Sequence, residues 1–294
     1  MPTTIDVKLR QRLTIVITTK NRWGDLLETL RVLETLGLQA CPIIVIDDGS
    51  DSLAPEPVLR HLGKHRLIRF DHSEGLVAQR NRLGALAATD YMLSIDDDSA
   101  PLSVNGLNEV INRMDSDQAI GAVALPVIFG SRGEPTVNRP KWSETRSYIG
   151  CGHIIRVRTF LEMGGYWSKL IYWGEERDYS LRLVAAGYKV VQSPQPVIHH
   201  RIAAAGRSSV RLCYFRGRNT LLIWYYNAPK VLVPWILLRS IIGILGTHLR
   251  DRQLFLAAGR GMLDAFRMLT CNKGRGLISS RMTVAQWLRW CKLA

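Results

Sequence analysis

Along the first 130 residues the apolar positions alternate between two rhythms. "RLTIVITT" (12–19), "PIIVIDDGS" (42–50), "HRLIRF" (65–70), "YMLSID" (91–96) and "AIGAVALPVIF" (119–129) carry short continuous apolar runs of strand length. Between them, "DLLETLRVLETLG" (25–37) has helical spacing and a glycine stop. "GLVAQRNRLGALAATD" (75–90) reads as a helix, and "PLSVNGLNEVINRM" (101–114) as a helix with Pro101 in its first turn. Strand and helix in alternation predict an α/β fold: a mostly parallel, doubly wound sheet with its helices outside. In such sheets ligands bind at the carboxyl ends of the strands.

Residues 130–147 are polar and read as a loop. After them the pattern is mixed. "YIGCGHIIRV" (148–157), "YKVVQ" (188–192) and "PVIHH" (196–200) read as strands; "RTFLEMGG" (158–165) and "GEERDYSLRLVAAG" (174–187) read as helices. From about 208 onward arginines are scattered through helical apolar stretches. The boundary predicted from this change separates an α/β domain, 1–205, from a helical extension, 206–294.

Charge sharpens that division. Residues 1–200 hold 23 Lys+Arg and 23 Asp+Glu, whereas 201–294 hold 16 Lys+Arg against Asp251 and Asp264, so the last third of the chain carries the whole net charge of +14. A basic, apolar tail points to a polyanionic partner, an anionic membrane before a nucleic acid because it is rich in Leu, Ile and Trp. Between Lys230 and Arg250 the apolar stretch is interrupted by Arg239 after eight apolar residues. The expectation is a helix too short and too charged to span a bilayer, lying in the interface on Trp and Arg anchors. The rival is a helical cap with solvated arginines. Five cysteines without C-x-x-C spacing, and a first apolar run that leads into Lys-Asn-Arg, fit a reduced protein without a leader. The expected location is cytoplasmic, peripheral on the inner face of the cell membrane.

The strand ends carry the chemistry. Thr18 and Thr19, "DDGS" at 47–50, and Asp96, Asp97 and Asp98 all fall at such ends. Three adjacent carboxylates disfavour joint ionisation unless a cation sits among them. One aspartate could cap a helix starting at 101; three need another cause. Side chains two apart on a strand face the same way, so Asp96 and Asp98 can share one ion, and oxygen ligands suit Mg²⁺ or Mn²⁺. In "GEERD" (174–178), Asp178 can pair with Arg182, which leaves Glu175 and Glu176 at a helix start.

The series "VITTKNR … VIDDGSD … GLVAQRN … SIDDDSAP … GEERDYSLRL … HHR" resembles the family 2 glycosyltransferases with the GT-A fold over roughly residues 12–205. "FRGRNTLLIW" is similar to a helix that follows that core in rhamnosyltransferase-like members. The resemblance implies an inverting, metal-dependent transfer from a nucleotide-sugar donor to a glycan or lipid-linked acceptor of cell-surface polysaccharide synthesis, with no nucleic acid. It implies nucleotide contacts from Thr18, Asn21, Asp48, Arg80 with Asn81, Asp96 and Asp97, and Asp48 as the residue that reads the base. It implies metal ligands Asp98, Asp96 and His200, with His199 as the alternative, and it places the base that deprotonates the acceptor at Glu176, with Glu175 open beside it and Asp178 in the same cluster. Many members have an aromatic residue where this chain has Lys20, so the base identity stays open and Lys20 can reach a phosphate. A phosphatase with a nucleophilic Asp would want its D-x-D on the leading strand, and this one ends the fourth.

Overall fold

The computed structural model describes residues 7–130, 141–201, 208–271 and 281–293. A short helix α1 (Val7–Arg12) leads into β1 (Leu13–Thr19), followed by α2 (Trp23–Thr35), β2 (Ile43–Asp47), α3 (Glu56–Leu62), β3 (Arg66–Arg69), α4 (Leu76–Leu86) and β4 (Tyr91–Asp96). Next come β5 (Ser99–Pro101), α5 (Leu107–Ser116), β6 (Ile120–Ala124), β7 (Val127–Phe129), β8 (Ser143–Glu144), β9 (His153–Arg156), α6 (Val157–Glu162), α7 (Glu175–Ala185), β10 (Lys189–Gln192) and β11 (Ile198–His200). Four more helices end the chain: α8 (Ser209–Asn227), α9 (Val233–Thr247), α10 (Arg252–Thr270) and α11 (Val284–Lys292).

The main sheet has the order β3-β2-β1-β4-β9-β6-β10-β8. β1, β2, β3 and β4 run parallel, and every residue of β1 and β2 is buried, which is why those strands read as unbroken apolar runs. α2 buries Leu26, Thr29, Leu30 and Leu33, the helical stripe its spacing predicts. The expected strand over 148–157 is shorter, His153–Arg156, and it enters the sheet antiparallel between β4 and β6. The polar segment expected at 130–147 falls largely on 131–140, outside the described residues.

One expectation fails at an important place. Ser99–Pro101 does not open a helix. It is a strand that pairs antiparallel with β11, which itself runs parallel to β7 in a small second sheet. The helix begins only at Leu107, after Gly106 at φ 85°, where a side chain would collide with Gln195. Pairing with a distant strand outweighs the local helix-start signal of Ser-Ala-Pro. A cap for that helix therefore cannot explain the aspartates, and the second sheet has a use: its register sets His200 opposite Ser99, beside the acid run.

The C-terminal helices share their core with the α/β part. Leu170 and Leu181 cluster with Leu221, Leu222, Met262, Trp290 and others. α8 and α10 cross closely because each has a glycine at the crossing: a side chain at Gly217 would overlap the Ala258 carbonyl, and one at Gly261 the Tyr214 carbonyl. Arg239 divides the apolar run of the tail but does not break its helix. The helix runs straight through it, and Lys230–Thr247 is a stretch of 18 residues long and apolar enough, by length and composition, to cross a membrane.

Candidate active site

The ends of β1, β2 and β4 meet because their register aligns them. Thr18 lies opposite Ile46 on one side and Asp96 on the other, and Thr19 lies opposite Asp47. The polar residues that end each strand thus share one edge of the sheet. α4, α7 and β11 bring Arg80, Glu175, Glu176 and His200 to the same edge.

Arg80 is central. Its guanidinium is buried and bonds Asp96 and Glu175 at 2.8 and 2.7 Å, with Glu176 at 3.4 Å. Burial alone would weaken the charge on Arg80, but Asp96, Glu175 and Glu176 hold it well above the ordinary value. Arg80 therefore does not lie on a solvated helix face. Asn81 turns the other way and staples the Tyr166 backbone through both ends of its amide, at 2.8 and 2.7 Å.

The two glutamates differ in access. The Glu175 side chain is 1% exposed and the Glu176 side chain 20%. Burial, and then the charge of Glu176, raises the Glu175 carboxyl, and its second oxygen has no hydrogen-bond partner among the described residues. Gly150 packs against this pair so closely that a side chain there would overlap Glu176 and Arg80. Asp178, grouped with them on sequence, faces the interior instead, bonded to Arg182 at 3.1 Å and to Asn227 at 3.0 Å.

The acid run is divided by its partners. Asp96 faces Arg80. Asp97 accepts from Thr19 at 2.8 Å and pairs with Arg22 at 3.0 Å. Burial lifts the Asp97 carboxyl to about 7, against the pull of Arg22 and the Thr19 hydroxyl. Asp98 is fully buried, bonded to Arg22 and 3.0 Å from His200 Nε2. The other ring nitrogen of His200, Nδ1, lies 3.4 Å from Cys151 Sγ. His199 points to the opposite face and bonds the Gly130 carbonyl at 2.9 Å, so of the two histidines it is His200 that joins the acids.

This donor set fits a divalent cation. Ligand atoms of Asp96, Cys151 and His200 lie within 4.8 Å of one another, and Asp98 adjoins His200. Around them, Asp96, Asp97, Asp98, Glu175 and Glu176 face two guanidinium groups, Arg22 and Arg80. The acids outnumber the cations, so the edge has room for more positive charge. Carboxylates with an imidazole suit Mn²⁺ somewhat better than Mg²⁺.

Three nucleotide candidates have structural work of their own. Thr18 is buried in β1. Asn21, at φ 56°, accepts from the Asp51 amide at 2.7 Å and donates to its carboxylate at 3.0 Å, tying two strand-end loops together. Asp48 accepts from Ser73, the Glu74 and Gly75 amides, and Gln79 at 2.6 to 3.0 Å. Burial would raise this carboxyl, but those bonds outweigh it and hold it below the usual range. A carboxylate has about four lone-pair sites, and all are filled from within the chain. Asp48 thereby sets the loop before α4. Lys20 is exposed at the rim of the edge.

Sequence reasoning missed Arg22, Cys151 and the hold that α8 has on the segment before α7. Asn219 Nδ2 contacts the carbonyls of Leu170, Tyr172 and Trp173 at 2.7 to 3.0 Å, and Arg218 bonds that of Lys169. The held segment includes Ile171 and Trp173 at φ 64° and 71°, strained for such residues. It leads directly into Glu175 and Glu176. Asn219→Ala is therefore expected to lower turnover about ten- to a hundredfold, the scale of a small misplacement of a reacting group, while donor affinity stays unchanged. Parallel measurement of turnover and donor affinity checks this; an equal loss of both would give Asn219 only a general folding role.

Residues 14–169 match the sequence profile described as glycosyl transferase family 2. A pre-mycofactocin glycosyltransferase of Mycobacterium tuberculosis is 26% identical over 281 residues, 86% of this chain and 58% of that protein. The chain thus spans less than two thirds of the curated relatives it matches. Among solved structures, the mannosyltransferase PcManGT from Pyrobaculum calidifontis, in complex with GDP-Man and Mn²⁺, superposes with a TM-score of 0.58 at 16% identity, covering 89% of this chain and 79% of that one. TarS of S. aureus with UDP-GlcNAc gives 0.61 at 14% identity, covering 86% and 79%. These likenesses show a shared GT-A fold.

Proposed function

This chain belongs to glycosyl transferase family 2 and is a glycosyltransferase; from that premise we propose that it moves a hexosyl or deoxyhexosyl group, with inversion, from a nucleoside-diphosphate sugar to a glycan or lipid-linked hydroxyl in cell-surface polysaccharide synthesis. The observation that carries the reading is the excess of carboxylates over guanidinium groups at the sheet edge, beside one partly exposed glutamate. Nucleotide and diphosphate lie along the ends of β1, β2 and β4. Asp98, Asp96 and His200 would hold a Mn²⁺ or Mg²⁺ ion, which would supply positive charge to a departing diphosphate. Cys151 faces His200 Nδ1, and this contact turns Nε2 toward Asp98.

Glu176 is the base, because a base must reach the proton it takes and Glu175 is buried against Arg80. Glu176 accepts the acceptor O–H proton as that oxygen bonds to the anomeric carbon. The bond from that carbon to the diphosphate oxygen breaks on the opposite face, and its electron pair leaves with the diphosphate. Arg80 ties the halves of the site together, with Asp96 on one amino group and Glu175 on the other. The domain reading, 1–205 for transfer and 206–294 as a helical extension, stays part of the proposal, amended by the hold of Asn219 on the transfer half.

A panel of sugar nucleotides, each scanned for thermal stabilisation with Mn²⁺ and with a chelator, tests the reading. A specific donor raises the melting temperature by mass action. One donor class should stabilise the protein, and only with the metal; no stabilisation by any donor would contradict the proposal.

A further inference from the structure

α9 has two apolar faces and the protein covers one of them. Val233 and Ile244 are buried, and Leu237, Ile241 and Leu245 pack against the cluster built by α8, α10 and α11. Trp235, Leu238 and Ile242, spaced three and four apart on the other side, are 63%, 51% and 63% exposed. Past the helix end, Leu249 is 72% exposed, and Leu256, Leu263 and Phe266 on the adjoining α10 are 46%, 58% and 42% exposed. Isolated exposed apolar residues are ordinary, but three along one face of a helix, a tryptophan among them, mark a surface made to be covered.

The charge around the stripe says what covers it. From 230 to 271 the cations are Lys230, Arg239, Arg250, Arg252, Arg260 and Arg267, all exposed. The acids are Asp251, which caps α10 through the Leu254 amide, and Asp264, which is bonded to Tyr214 and Arg267. Arg239 stands within the stripe itself, four residues after Trp235. An apolar protein partner would leave that guanidinium buried without a counter-charge, whereas at a lipid surface the same side chain lays its stem along the apolar region and its head among phosphates.

We propose that α9 and α10 dock this protein on an anionic lipid surface, with Trp235, Leu238 and Ile242 entering the headgroup boundary and the arginines meeting the phosphates. α9 lies in the plane of the membrane. The sequence of Lys230–Thr247 is long enough to span, but a spanning helix would have to strip Leu237, Ile241 and Leu245 from the core they help to form. The inner leaflet, where anionic lipid concentrates, is the matching surface. The enzyme is thereby peripheral, held where a lipid-linked acceptor would present its hydroxyl. This step is independent of which donor the site takes.

The test is co-sedimentation of the full chain with vesicles of phosphatidylcholine alone or mixed with phosphatidylglycerol. The wild type should pellet with the mixed vesicles, less at high salt, and come off in an alkaline wash. The variant W235S/L238S/I242S should lose roughly tenfold or more of its vesicle affinity. The variant R250Q/R252Q/R260Q/R267Q should lose the preference for anionic lipid. Both lie outside the active site, so unchanged donor-induced stabilisation shows that they fold. Equal pelleting of wild type and the serine variant overturns the proposal. So does resistance to the alkaline wash, which would mean a spanning helix, or a wild-type dimer that ignores vesicles and dissociates in the serine variant, which would mean that the stripe is a contact between copies.

Discussion

Asp98→Asn is expected to remove metal-dependent donor binding while leaving the fold in place. Asp98 sits at the turn from β4 into β5, fully buried, with Arg22 on one side and His200 on the other. Asparagine keeps the shape but not the charge, and it cannot hold a divalent ion in the same way. Loss of a group that orients a metal ligand already costs about 10- to 100-fold in affinity, so loss of a ligand should cost at least about 100-fold. Asp98→Ala is the harsher change. It leaves the buried His200 imidazole without that carboxylate and the partly exposed Arg22 with only Asp97 and Asp25. Calorimetric titration of the donor into Asp98→Asn, with Mn²⁺ and with a chelator, checks the result. Affinity that still depends on Mn²⁺ as in the wild type would place the ion elsewhere.

Glu176→Gln is expected to bind donor and metal normally and to transfer sugar about 10²–10⁴-fold more slowly, or about 3–5 kcal/mol of barrier. The acceptor hydroxyl is a poor nucleophile near neutral pH and needs a carboxylate to take its proton. Glu176 can offer one. Its side chain reaches solvent, its contact with Arg80 is a long 3.4 Å, and its backbone is fixed at the first turn of α7. Its place is also set from behind, where Gly150 gives the carboxylate room that any side chain would take away. Glutamine preserves that packing, so the change isolates basicity from shape. Single-turnover measurement at saturating donor reads the chemical step directly.

Much of this arrangement was legible in the sequence because strands announce themselves. Buried parallel strands read as continuous apolar runs, and the polar residues that end them had to share an edge once the sheet was parallel. That places Thr18, Asp48 and Asp96 to Asp98 together without a structure. Other features depend on contacts between residues far apart in the chain. Arg22 reaches Asp98 across 76 positions, and nothing in "TTKNR" says which acid it will meet. Ser-Ala-Pro looks like a helix start until the returning strand 198–200 pairs with it. The four donors that meet Asp48 come from residues 73–79, a turn whose path composition does not fix. Asn219 was noticed for its helix but not for its three carbonyls, which belong to a loop almost 50 residues earlier. In the tail, Arg239 interrupts the apolar run but not the helix, because a side chain that points out of α9 breaks no backbone bond.

The division of labour along this edge is tested most directly by transfer rates of Glu176→Gln and Glu175→Gln, side by side at saturating donor and Mn²⁺. Glu176→Gln should be nearly inactive. Glu175→Gln should keep a substantial rate, because the Glu175 side chain is 1% exposed, buried against Arg80 and closed to an incoming hydroxyl. Near-normal transfer by Glu176→Gln together with a dead Glu175→Gln would contradict the account and move the base one residue back along the chain.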